Sequence, residues 1–261
     1  MIFYQINYGE YADIITGTSL DTASAAFGYD NRSDGGNVTW NAVSGDLTYN
    51  FGDTSTFFYV DSFFINNHNW KSGNIQVNTG SAWSTITSFA NQTTSAYYYK
   101  HTSTLTGYQV RYVCTDTQDS STAYAGELIA TAERFQLNYN PSKYVPTLSP
   151  TVKAKQLYNG LTIANKIADR ENVFSAEVGW GYLFGEENTL TNTDLQNITE
   201  LARENNAFLF WPNGDSEFLN MRTWRKDDLY KCKILGEVKY EFPSPAIAYA
   251  IIADYEFIEV K

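Results

Sequence analysis

The sequence predicts a mainly β chain in two parts: a β-sandwich first, then a β-sandwich or barrel with one flanking helix. Three observations predict it. Aromatic residues make up 16% of the 261 residues, with 20 Tyr, 16 Phe and 6 Trp, and such side chains suit a pleated, half-buried surface. Short runs alternate apolar and polar between clusters of Gly, Asn and Asp, the pattern of strands joined by turns. Helical periodicity is confined to one segment of the second half, Asp194 to Glu204.

The first half supplies strands in order. Leu47-Thr48-Tyr49-Asn50-Phe51 alternates and is broken by Gly52-Asp53. Phe57 to Ile65 is almost continuously apolar, as a strand central to a sandwich would be. Asn74-Ile75-Gln76-Val77-Asn78 and Tyr108-Gln109-Val110-Arg111-Tyr112 alternate again. In the second half, Leu195, Ile198, Leu201 and Ala202 form one helical stripe, with Thr193 or Asp194 as cap and a stop near Asn205-Asn206. Ala207 to Trp211 reads as a strand ended by Pro212-Asn213-Gly214. Tyr230 to Ile234 and Val238 to Phe242 alternate on either side of Gly236, a turn or a bulge, and Ala246 to Val260 is a last long strand.

Charge marks the boundary between the parts. Residues 1–133 hold 12 acidic and 4 basic side chains, net −8, and residues 134–261 hold 17 and 14, net −3. Pro141, Pro146 and Pro150 fall between them and bias the chain towards an extended connector. The expected division is a sandwich over 1–133, a Pro-containing linker over 134–154 and a β-domain over 155–261, its helix near 194–204.

Composition excludes several functions. A formal net charge of −11 disfavours a phosphate-backbone binder and docking on anionic lipid. No run approaches the length of a membrane span, and no signal peptide is visible, so a soluble chain made in a cytoplasm is expected. The sequons at Asn31, Asn37, Asn91 and Asn197 are read as chance in a chain rich in Asn, Ser and Thr. Two His and two distant Cys, Cys114 and Cys232, give neither a metal cluster nor a disulfide framework; both thiols are expected to be buried. No nucleotide loop, nucleophile elbow or zinc-protease motif occurs, and Gly35-Gly36 is read as a turn. The nearest carboxylate pairs, Asp30 with Asp34, Glu186 with Glu187 and Asp215 with Glu217, read as solvated loop charge rather than a hydrolase pair.

Two candidate sites remain. Asp30, Asn31 and Asp34 offer hard oxygen donors that suit Ca²⁺, with an ordinary turn as the competing reading. His68, flanked by Asn66, Asn67, Asn69 and Trp70, follows a predicted strand. An aromatic ring beside carboxamides can hold a sugar by stacking and hydrogen bonding. Trp40, His68, Asn69, Trp70 and Trp83 are therefore the candidate ligand-binding residues, against the alternative of tryptophans packed into the sandwich rim.

Two resemblances add to this reading. The order of a loop closed by a Trp (Asp30 to Trp40), Asp46 to Gly52, His68-Asn69, Gly73 to Val77, Trp83, Gly107 to Val113 and Gly126-Glu127-Leu128 resembles the discoidin type of galactose-binding-like, jelly-roll sandwich, over residues 10–133. That resemblance implies a sugar- or protein-binding module; the usual terminal disulfide is absent. Phe174 to Val178, the helix followed by Asn206 to Pro212, Leu229 to Lys233 and Tyr255 to Val260 resemble the minor and distal tail proteins of long-tailed bacteriophages, over residues 155–261. That resemblance implies a tail-tube-like module working with other tail proteins and with copies of itself in a ring.

The expected function is therefore that of a structural virion protein of a phage tail, at the tip, distal tail or an adaptor ring. It would be non-enzymatic, with the first module as an outward decoration or a host-surface binder, a host-surface glycan being the partner in the second case. The alternative is a carbohydrate-binding module protein with no ring role.

Overall fold

A computed structural model describes residues 2–29, 36–51, 57–80, 82–137, 143–150, 152–156, 162–166, 172–183, 192–211, 229–241 and 250–260. In chain order the strands begin with β1 (Ile2–Tyr4), β2 (Ile14–Thr16), β3 (Val38–Thr39), β4 (Gly45–Asn50), β5 (Phe58–Asn66) and β6 (Trp70–Asn78). They continue with β7 (Trp83–Phe89), β8 (Ala96–Gly107), β9 (Gln109–Thr117), β10 (Tyr124–Ala125), β11 (Glu127–Thr131) and β12 (Glu133–Gln136). The remainder are β13 (Lys143–Pro150), β14 (Val152–Gln156), β15 (Thr162–Lys166), β16 (Asn172–Leu183), helix α1 (Asn192–Glu204), β17 (Phe208–Trp211), β18 (Tyr230–Glu241) and β19 (Ala250–Glu259). The chain is thus mainly β with one α-helix among the described residues, as its composition predicts.

Tyr4–Arg134 fall in one compact unit. It is a sandwich of a five-stranded sheet, β2-β4-β9-β6-β7, and a three-stranded sheet, β11-β5-β8. Alternation decides which side chains meet inside. Leu47 and Tyr49, Ile75 and Val77, Val110 and Tyr112 point inward from the first sheet. Val60, Phe63 and Ile65 answer from β5, and Leu128 and Ala130 from β11. Tyr49 is fully buried and its hydroxyl lies 2.8 Å from Gly28 O and 2.9 Å from Leu128 O, so its one proton always has a carbonyl acceptor, as burial requires. The near-continuous apolar run becomes β5, buried on both faces along most of its length. A register shift between Val60 and Ser62 lets Asp61 turn its carboxylate to the Glu133 N–H at 3.0 Å.

The second unit contains Phe3, Leu137 and the core residues that follow them. Its seven-stranded sheet runs β12-β1-β17-β18-β19-β16-β13. Phe3 sits at the centre of that core, 4.5 Å from the ring of Phe135, 5.2 Å from Phe210 and 6.0 Å from Phe257. Two features differ from the sequence expectation. Ile2–Tyr4 is a strand of this sheet rather than of the first module. The proline-containing stretch is not a free connector: Lys143–Pro150 form a margin strand paired with β16, Pro146 opposite Ala176 and Pro150 opposite Asn172. Proline is tolerated at a sheet margin, where its missing donor does not interrupt a ladder.

Helix α1 buries Ile198 and Leu201 against the same core, with Leu195 and Ala202 half-buried. It starts at Asn192, so Thr193 and Asp194 lie in its first turn rather than at the cap, and Asp194 there suits the positive end of the helix dipole. Asn205, at φ +52°, ends it in the left-handed conformation that Asn tolerates. The two alternating runs around Gly236 form one strand, β18, whose register against β19 shifts between Leu235 and Lys239. β14 and β15 pair with each other as a separate two-stranded hairpin. No helix among the described residues is long and apolar enough to cross a membrane.

Candidate functional site

The amide-rich segment Asn66 to Trp70 links β5 to β6 and is built into the sandwich rather than displayed. Trp40 and Trp70 are 2% and 0% exposed and pack edge to face with ring centres 5.4 Å apart. The Trp40 indole donates to Asp46 O at 2.9 Å. Gly45 makes this fit: a Cβ there would lie 2.4 Å from Trp40 Cδ1 and 2.5 Å from Thr18 O. His68, 2% exposed, accepts the Trp70 N–H at its Nδ1 (3.0 Å). Asn69, 4% exposed, clamps the loop before β10. Its amide donates to Ser121 Oγ and Thr122 O, both at 3.0 Å, and its oxygen accepts from Tyr124 N at 2.9 Å. Four of the five expected ligand-binding residues therefore support the fold. The physical reason is that each already has its rings or polar atoms engaged inside the sandwich.

The candidate calcium ligands Asp30, Asn31 and Asp34 lie outside the described residues, as do Glu186, Glu187, Asp215 and Glu217. Among the described residues no group of three or more His, Cys, Asp or Glu is placed to hold a metal. Cys114 and Cys232 are both buried, as expected from the sequence.

Trp83 is different. It begins β7 on the outer face of the five-stranded sheet and is half-buried. The register sets two rows of side chains across that face. One runs Asn50, Gln109, Asn78, Trp83; the other runs Thr48, Arg111, Gln76, Thr85. The Arg111 guanidinium lies 4.2 Å from the centre of the Trp83 ring. Its Nε and Nη2 both donate to Gln76 Oε1. Gln76 in turn donates to Thr85 Oγ1 at 3.3 Å. In the other row Asn78 donates to Gln109 Oε1 at 2.9 Å and accepts the Gly80 N–H at 3.0 Å. Gly80, at φ +131°, permits the turn that brings β7 back beside β6.

The result is a pre-set polar lattice around one indole. Gln76 and Asn78 have both ends of their carboxamides engaged, whereas Gln109 and Thr85 are engaged through their acceptor oxygens. The Gln109 amide N–H, the Thr85 hydroxyl proton and Arg111 Nη1 remain without partners among the described residues. Side chains fixed in this way lose little further freedom when a ligand arrives. Sequence reasoning singled out Trp83 and did not single out Arg111, Gln76, Asn78 and Gln109, which the structure places beside it. Their signal was present as the polar members of two alternating strands; what brings them together is the pairing register.

No family model matches the chain, and no curated protein does. Among solved structures it is similar to chitosan-binding module 1 of a chitosanase/glucanase from Paenibacillus sp. IK-5, at 18% identity and TM-score 0.41, over 48% of this chain and 97% of that one. It is also similar to a family 32 carbohydrate-binding module from Clostridium perfringens NanJ in complex with galactose, at 13% identity and TM-score 0.42, over 49% and 98%. A third is a C. perfringens module in complex with GalNAc-β-1,3-galactose, at 15% identity and TM-score 0.37, over 45% and 93%. These likenesses concern the β-sandwich fold and span about half of the chain.

Proposed function

We propose that the protein is a carbohydrate-recognition protein whose sandwich binds a glycan on the outer face around Trp83. The observation that carries this reading is the half-buried Trp83 ring on the outer face, held by Arg111 and bordered by the carboxamides of Gln76, Asn78 and Gln109. An indole packs against the C–H face of a sugar, and carboxamides serve its hydroxyls as both donors and acceptors. Binding of the full chain to a glycan array, removed by Trp83→Ala with the fold intact, is the expected result. A blank array would sink the reading.

A second reading, assembly of copies as in a phage tail ring, is favoured by the β14–β15 hairpin. A lone two-stranded hairpin is marginal in water and calls for a surface to pack on. It carries Lys153, Lys155 and Lys166 within residues 134–168, which hold five basic and no acidic side chains, whereas residues 1–133 are net −8. That asymmetry suits docking on the acidic part of a neighbouring copy. Light scattering is expected to show an oligomer that dissociates as salt rises; a monomer at every concentration and ionic strength would remove this reading.

A further inference from the structure

Resting on the carbohydrate reading of the Trp83 face, we infer that its ligand is an uncharged oligosaccharide laid across the strands, over several sugar rings. Geometry sets the direction. Asn50, Gln109, Asn78 and Trp83 occupy directly opposed positions on four consecutive strands, β4, β9, β6 and β7. With neighbouring strands ~4.8 Å apart, that row is about 14 Å long. The parallel row of Thr48, Arg111, Gln76 and Thr85 lies beside it. An indole thus stands at one end of a track of carboxamides and hydroxyls. A monosaccharide on Trp83 reaches one end of this track, and a chain reaches the rest.

Charge selects the class. Arg111 and Asp46 are the charged side chains contributed to this face by the paired parts of β4, β6, β7 and β9, apart from the mutually bridged Lys71 and Asp116 at 3.1 Å. The face is neutral in balance. Two of the Arg111 donors are spent on Gln76, and the cation is shared with the Trp83 ring. The chain as a whole carries −11, so its long-range field opposes polyanions. Hydroxyl-rich neutral chains meet no such penalty, and the open Gln109 and Thr85 donors match their oxygens.

The test uses the full chain on immobilised neutral hexose and N-acetylhexosamine oligomers and on uronic-acid oligomers, one to six residues long. Affinity for a neutral series is expected to rise about tenfold or more from one residue to three or four and then level off. Gln109→Ala, two strands from Trp83 along the row, is expected to cost about tenfold for the longer oligomers and clearly less for the monosaccharide. Uronic-acid oligomers are expected to bind at least about tenfold more weakly at low salt. Binding that is lost in Trp83→Ala yet independent of length and of Gln109 would overturn the cross-strand track and leave the carbohydrate reading standing. Tighter binding of the acidic series would overturn the charge argument. No binding in any series would remove both this inference and the reading on which it rests.

Discussion

Arg111 and Trp83 stand on strands that do not touch, β9 and β7, with β6 between them, and their side chains meet above it at 4.2 Å. The contact is possible because Gln76, on the intervening strand, holds the guanidinium from below. Stability and recognition are separable here. A half-buried cation–π pair contributes about 0.5–2 kcal/mol, so Trp83→Ala should move the urea midpoint modestly while removing glycan binding. Trp70→Ala should do the reverse. Loss of a fully buried Trp costs about 3–5 kcal/mol, and the molecules that remain folded should still bind. Equal unfolding costs for the two variants would contradict the assignment of Trp70 to the core.

Asn69 should behave as a clamp rather than a ligand contact. Its side chain serves Ser121, Thr122 and Tyr124. Asn69→Ala strands the Tyr124 N–H and removes one donor from the Thr122 carbonyl, for a loss of about 1–3 kcal/mol. Denaturant titration checks the loss, and unchanged affinity per folded molecule checks the role.

Gly45 has no room for a methyl group, since Trp40 and the Thr18 carbonyl occupy the space. Gly45→Ala is expected to destabilise by about 1–3 kcal/mol as an overpacked site. Thermal unfolding measures it, and the Trp40 fluorescence maximum should shift as the ring is displaced. Wild-type stability would show that the Trp40 packing is looser than described.

Alkali should unfold the protein through its buried acids. Burial raises the Tyr4 and Tyr112 phenols, and it pushes the Cys114 thiol from 9.0 up to about 12. For each group the folded state favours the neutral form. The associated stability is complete below the unfolded pKa, about 10 for Tyr, and is lost as pH climbs from there through the folded value. The urea midpoint should therefore stay level from pH 7 to 9 with respect to these groups and fall above that. Part of the phenolate absorbance should appear only together with unfolding, and thiol reagents should label Cys114 at that point and not before. Full phenolate formation with the fold intact would contradict the burial of Tyr4 and Tyr112.

Local pattern made much of this molecule legible. Asn74 to Asn78 and Tyr108 to Tyr112 alternate as they do in β6 and β9, and α1 ends at Asn205, where its stripe gives out. What could not be read depends on partners distant in sequence. Nothing local tells Phe3 that its neighbours are Phe135, Phe210 and Phe257. Three prolines look like a connector until β16 is there to pair with. Trp70 and Trp83 each begin a strand, and one faces the core while the other faces outward. That parity is set by the sheet, so an outward-facing Trp and a core Trp look alike in the sequence. Asp30, Asn31 and Asp34 lie outside the described residues, and the ion reading stays a sequence expectation.

The prolines of β13 carry one more implication. Among the described residues the seven-stranded sheet ends at β12 and β13, and an uncovered sheet margin is a template on which a foreign strand could nucleate. β13 ends the sheet's strand order, and Pro146 and Pro150 within it bring no amide hydrogen with which to bond an incoming strand. Fibril-like growth from that side is thereby disfavoured even when many copies are crowded together.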